Sequence, residues 1–195
     1  MKEYLVSFDN IRLEHKLTDE EKAEKVEVFL RYYLITTADQ IRLTQRIQKV
    51  YNPFSFKNFS WGKKFGGDDD PKFQKTLASL KDDFIKKETD EKLYHLDQGE
   101  GKIFNHYYYR LSPKIIEMIK KSTLIWLHYY TEKTYEPFYG FEDPSFYKEG
   151  RLVAHVVSHE NYVHLFLDED IAYNFMRRLS VEFHDITSQN IKSLK

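Results

Sequence analysis

The chain has 195 residues, no cysteine, and 30 Lys and Arg against 31 Asp and Glu, for a formal net charge of −1. That balance excludes a global electrostatic pull toward phosphate backbones or anionic membranes, and the lack of cysteine excludes disulfides, thiolate metal sites and cysteine nucleophiles. Fifteen Phe and fifteen Tyr are too much bulky apolar surface for a disordered chain, so a folded domain with a real core is expected.

The opening MKEYLVSFDN lacks the basic region and apolar run of a secretory signal, and no stretch of 18 apolar residues occurs; the expectation is a cytoplasmic protein with no membrane partner. Thr18-Asp19-Glu20-Glu21 has the form of a capping box. It predicts a helix over 19–35 with Ala23, Val26, Leu30, Tyr33 and Leu34 on one face, although Val26-Glu27-Val28 would also suit a strand. Thr37-Ala38-Asp39-Gln40 repeats the signature, and Ile41, Ile47, Val50 and Tyr51 continue helical spacing to Asn52-Pro53. A helical pair, or one long bent helix, is predicted for this N-terminal quarter.

Residues 52–70 carry no clean period, and loops of that length in compact domains bind something or are disordered. Aromatics and lysines interleave here, and Phe59, Trp61, Lys63, Lys64 and Phe65 are candidate partner contacts. The same combination stacks bases and neutralises phosphates in single-stranded nucleic-acid binding. Asp68-Asp69-Asp70 cancels the loop's three lysines, so a protein partner is favoured over nucleic acid. The triple Asp lacks the ligand spacing of a calcium loop. Asp70 instead reads as the N-cap, and Pro71 as the first residue, of a helix to about 87, with Phe73, Leu77, Leu80 and Phe84 at i, i+4, i+7 and i+11.

Lys92–Leu96 and Ile103–Leu111 flank a glycine-bearing turn and predict a hairpin. Ser112-Pro113 starts another helix through Ile115, Ile116 and Ile119, while 125–130 suits helix or strand. Ser145–Tyr147 and a turn at 148–150 lead into a strand pair, giving a three-stranded meander over 145–167, after which Asp168 caps a helix containing Ile171, Ala172, Phe175 and Leu179. The predicted architecture is therefore α+β in one domain: N-terminal helices in a helix-rich 1–90, then a small antiparallel sheet (the 145–167 meander) and a C-terminal helix within 91–195.

If Ser158-His159-Glu160-Asn161 is the hairpin turn, Val157 faces Tyr162, His155 faces His164, Val153 faces Phe166 and Arg151 faces Asp168. Leu152, Ala154, Val156, Val163, Leu165 and Leu167 then form an apolar face that must be core. Opposed residues have Cβ atoms about 4.5–5.5 Å apart, close enough for two imidazoles to share a metal or a proton. His155 and His164, with His128 as a third ligand if its segment lies alongside, are thus candidate ligands for a divalent metal such as zinc or iron; paired, hydrogen-bonded structural histidines are the competing reading. His159 and Glu160 at the tip are candidate partner contacts, and their spacing fails the zinc-helix pattern. No glycine elbow surrounds Ser158 and no phosphate-loop motif occurs. The leading expectation is a non-enzymatic protein-binding module of adaptor, immunity or antitoxin type. A metal-dependent hydrolase or other metalloprotein is the alternative, and single-stranded nucleic-acid binding through 52–70 the weaker one.

Overall fold

The computed structural model describes residues 1–8, 19–48, 70–90, 92–93, 96–97, 102–122, 138–158 and 162–187. Ten strands and four α-helices lie among them. The strands are β1 (Lys2–Ser7), β2 (Gln40–Gln48), β3 (Phe84–Asp90), β4 (Lys92–Leu93), β5 (Leu96–Asp97), β6 (Lys102–Arg110), β7 (Glu142–Lys148), β8 (Arg151–Val157), β9 (Tyr162–Leu167) and β10 (His184–Asp185). The helices are α1 (Asp19–Thr37), α2 (Pro71–Leu80), α3 (Pro113–Lys121) and α4 (Glu169–Leu179). Eight strands form one sheet in the order β10-β1-β9-β8-β7-β2-β6-β3, and every pairing is antiparallel.

One face of this sheet is apolar at every strand that matters. Tyr4 and Val6, Ile41 and Leu43, Tyr107 and Tyr109, Phe146, Ala154 and Val156, and Val163 and Leu165 join Val26, Leu30 and Leu34 of α1, Phe73 and Leu80 of α2, Ile115 and Ile119 of α3 and Ala172 of α4 in a single core. Two predicted helix starts are built as their residues require. Asp70 Oδ1 accepts from Lys72 N at 2.8 Å before Pro71, and Ser112 Oγ accepts from Ile115 N at 3.3 Å before Pro113. Arg31 of α1 caps the other end of α3, donating to the carbonyls of Ser122 at 2.6 Å and Lys120 at 3.2 Å.

The helices-first architecture with a small C-terminal sheet is overturned: the chain opens on a strand, and the sheet is large and spans the described chain from β1 to β10. The second N-terminal helix is strand β2. Picking Ile41, Ile47, Val50 and Tyr51 at helical spacing passes over Leu43, whereas Ile41 and Leu43 in the core with Arg42 and Thr44 buried on the opposite face is the period-2 pattern of a central strand. The helix from Pro71 stops at Leu80, a 3₁₀ turn follows at Lys81–Asp83, and Phe84 begins β3. Pairing of β3 with β6 outweighs the continued helical spacing of Phe84, whose ring packs edge-on against Tyr109 at 5.9 Å. Most of the turn predicted at 97–101 lies outside the described residues; among those described, β6 pairs with β2 and β3, and β4 with β5.

The meander over 145–167 is present, with its first strand extended back to Glu142. Its first turn, Glu149-Gly150, has positive φ at both residues (50° and 76°), the hand that suits a two-residue hairpin. Among the described residues no helix is long and apolar enough to cross a membrane.

Candidate functional site

The sheet's second face carries polar side chains where a one-sided sheet would meet water, yet many of them are buried. Direct register partners form a transverse row: Leu5 on β1, His164 on β9, His155 on β8, Ser145 on β7, Arg42 on β2, Tyr108 on β6 and Lys86 on β3. His155 and Ser145 are fully buried, and Arg42 is 8% exposed. Beside the row lie Glu3, Thr44 and His106, all buried as well.

These side chains are joined by hydrogen bonds. Arg42 Nη2 donates to Ser145 Oγ at 2.8 Å, and Ser145 Oγ lies 2.9 Å from His155 Nδ1. With Oγ accepting from the guanidinium, its hydroxyl proton is free for Nδ1, which assigns the imidazole proton to Nε2. His164 Nδ1 meets Glu3 Oε1 at 2.8 Å, and Thr44 Oγ1 lies 3.1 Å from His106 Nδ1. At the sheet edge Tyr108 donates to Glu88 Oε2 at 2.8 Å, Lys86 pairs with Glu88 at 2.7 Å and also sits over the Tyr108 ring, 4.6 Å from its centroid. Lys86, then Tyr108, hold the Glu88 carboxyl below its usual range, while burial and Glu88 raise the Tyr108 hydroxyl.

Burial pushes His155 down to about 3, and the nearby Arg42 charge adds to the shift, so the ring is neutral near neutral pH. A Ser–His contact of 2.9 Å has the reach of a nucleophile and its base. This imidazole is too weak a base for that task, and both groups are shut from solvent with Arg42 holding the serine oxygen. The pair is buried and holds a proton in place.

A bulge positions this centre. Arg42 pairs with Ser145 and Thr44 with Glu142, so Asp143 and Pro144 together oppose Leu43. Asp143 takes a left-handed φ of 48° and closes on Ser158 reciprocally: its Oδ1 accepts from Ser158 N at 2.8 Å, and its N–H donates to Ser158 Oγ at 3.3 Å. Ser158 thus ties the end of β8 to the β7 bulge.

The register places His155 opposite His164, Val156 opposite Val163 and Val157 opposite Tyr162 as predicted, and the predicted apolar face is core apart from half-buried Leu152. The two rings are 6.2 Å apart between centroids and tilted by 32°. Among the described residues no group of three His, Asp or Glu side chains is placed to hold a metal. His128, the turn residues His159 and Glu160, and the loop residues Phe59, Trp61, Lys63, Lys64 and Phe65 lie outside the described residues. Sequence reading missed Arg42, Ser145, Asp143 and Glu3. For Arg42 the signal was present in the strict alternation of QIRLT; for Glu3 it lay in the short alternating run EYLV at the N-terminus.

Compared with known proteins, the chain matches no family model, no curated protein and no solved structure.

Proposed function

We propose that this chain is a non-catalytic, cytoplasmic protein-binding module of adaptor, immunity or antitoxin type. The observation that carries the reading is the outer surface of α1, where Val28 and Tyr32, one helical turn apart, are 47% and 66% exposed. With Glu24, Lys25 and Phe29 they line a shallow hollow. Large apolar groups ringed by charge are what a protein partner covers, and aromatic anchors dominate such contacts. The surface is held rigidly: Phe29 and Tyr33 each meet the Phe175 ring edge-on at 4.9 Å, and Arg178 of α4 lies over Phe29. Rigid presentation lowers the ordering cost of binding. The burial of the Ser145–His155 pair supports binding over catalysis, and the cysteine-free composition is in keeping with a reducing compartment.

Native mass spectrometry of the untagged chain from its own cells tests this. A protein partner retained by the wild type and lost in Val28→Glu/Tyr32→Glu supports the reading; a bare monomer in every preparation contradicts it.

The opposed histidines favour a second reading, a metalloprotein. His164 meets the Glu3 carboxylate through Nδ1, the carboxylate–histidine contact that orients metal-binding imidazoles. One equivalent of zinc or iron that disappears in His155→Ala/His164→Ala would establish it, and metal-free protein after mild purification would dismiss it.

A further inference from the structure

The eight-stranded sheet has two unlike edges. At one, β10 is two residues long, and the chain just beyond it stays bonded to β1, Ile186 N donating to the Glu3 carbonyl at 3.0 Å. A short, tied strand of this kind blunts an edge. At the other, β3 has β6 on one side and, among the described residues, no strand on the other, and all seven residues from Phe84 to Asp90 are exposed. In an antiparallel ladder every second residue turns its N–H and C=O groups away from the neighbour it pairs with, so β3 directs a row of donors and acceptors outward. Its lysines and the bulge at Ile85 guard that row against chance strands. The order of its charges nevertheless fits one partner.

We propose that β3 is a dimerisation edge, which pairs antiparallel with β3 of a second copy of this chain across a two-fold axis at Lys87. A strand paired with its own copy keeps side-chain faces and ladder groups matched only when the axis falls on a residue. With the axis at Lys87, Lys86 faces Glu88 of the second copy, and Glu88 faces its Lys86. Lys86 already reaches Glu88 along its own strand at 2.7 Å, so the charges alternate in sign both along and across the strands, and opposed pairs of that kind stabilise a sheet. An axis at Lys86 or at Glu88 sets like charges against each other on that same face. Lys87 does face its own copy, but on the other face of the sheet, where its ammonium lies 5.0 Å from the centroid of the Tyr107 ring on β6 and is drawn away from the axis. Beyond these pairs Ile85, 40% exposed, meets Thr89 of the second copy, a β-branched neighbour that suits a pleated surface. Backbone hydrogen bonds supply the affinity and the charge order supplies the selectivity, and the interface uses the same strand from both copies.

Sedimentation equilibrium of the full chain over a dilution series, with hydrogen exchange of the β3 amides, tests the proposal. The wild type should show a reversible monomer–dimer equilibrium, with the outward amides of β3 protected in the dimer. Lys86→Glu and Glu88→Lys each oppose like charges across the axis and should weaken dimerisation at least about tenfold. Mixed in equal amounts, those two variants should form a heterodimer, because each contact between positions 86 and 88 is again of opposite sign. The double variant Lys86→Glu/Glu88→Lys should self-associate as the wild type does, and it carries the test with the wild-type exchange data should a single variant fail to fold. Val28→Glu/Tyr32→Glu should leave this dimer intact, which separates it from the α1 surface. A monomer at every concentration, a dimer indifferent to the single reversals or dependent on Val28 and Tyr32, or β3 amides that exchange equally fast in monomer and dimer overturns the proposal.

Discussion

His155 and His164 stand directly opposite each other on β8 and β9, yet their Nδ1 atoms turn to different partners, Ser145 at 2.9 Å and Glu3 at 2.8 Å. The two contacts extend in opposite directions across the sheet. One ties β8 to β7 and, through Arg42, to β2; the other ties β9 to β1. A histidine pair that looks like a reactive centre in the sequence is, in the fold, the middle of a polar seam spanning five strands.

The seam makes stability sensitive to acid. His155 is held near 3 in the folded chain against an ordinary 6.5, so below about pH 6.5 the unfolded chain binds a proton that the folded chain refuses. Its contribution is complete above pH 6.5 and is lost as pH falls toward 3, at up to about 1.4 kcal/mol per pH unit. Urea unfolding at steps between pH 7.5 and pH 4 should show that slope, and His155→Gln should flatten it.

Ser145 serves two buried groups at once. Ser145→Ala strands Arg42 Nη2 and His155 Nδ1 and should destabilise the fold by about 1–3 kcal/mol, measured by chemical denaturation. Loss of only a few tenths would mean that the seam's hydrogen bonds are not formed as described.

Each helix cap carries a second hydrogen bond. Ser112→Ala removes the cap and the bond that Ser112 Oγ donates to Asp83 Oδ2 at 2.8 Å, and should cost about 1–2 kcal/mol. Asp70→Ala should cost about as much, since Asp70 Oδ2 also accepts from Tyr139 OH at 2.8 Å. A double-mutant cycle between Asp70→Ala and Tyr139→Phe should return a coupling of about 0.5–1.5 kcal/mol.

Gly150 holds φ at 76°, and a Cβ placed there would touch nothing. Gly150→Ala should therefore cost about 1 kcal/mol from backbone strain alone, with Gly150→Asn costing less because Asn tolerates this conformation. Equal stability of the alanine variant would place the turn in another conformation.

What was legible from sequence was local. The 151–167 hairpin could be read because its alternation and turn length fix one register, and Asp70-Pro71 and Ser112-Pro113 could be read because a cap and a proline act over three residues. The sheet was not legible, because its order depends on partners distant in the chain. Lys2 pairs with Leu167 and Gln40 with Arg110, contacts for which no short-range pattern exists. Misreading β2 as a helix then hid Arg42, which in a helix would have been one more solvated charge. The mixture of helices and strands was legible, but the architecture of N-terminal helices before a small C-terminal sheet was not: the chain opens on a strand and its sheet is large.

The polar seam stands or falls on the protonation of one ring. Long-range proton–nitrogen NMR of the full chain, titrated from pH 7.5 to pH 4.5, reads the His155 imidazole directly. The structure predicts a neutral ring throughout, with its proton on Nε2. A midpoint near the ordinary 6.5 would mean that His155 is neither buried nor bonded to Ser145, and would contradict the account.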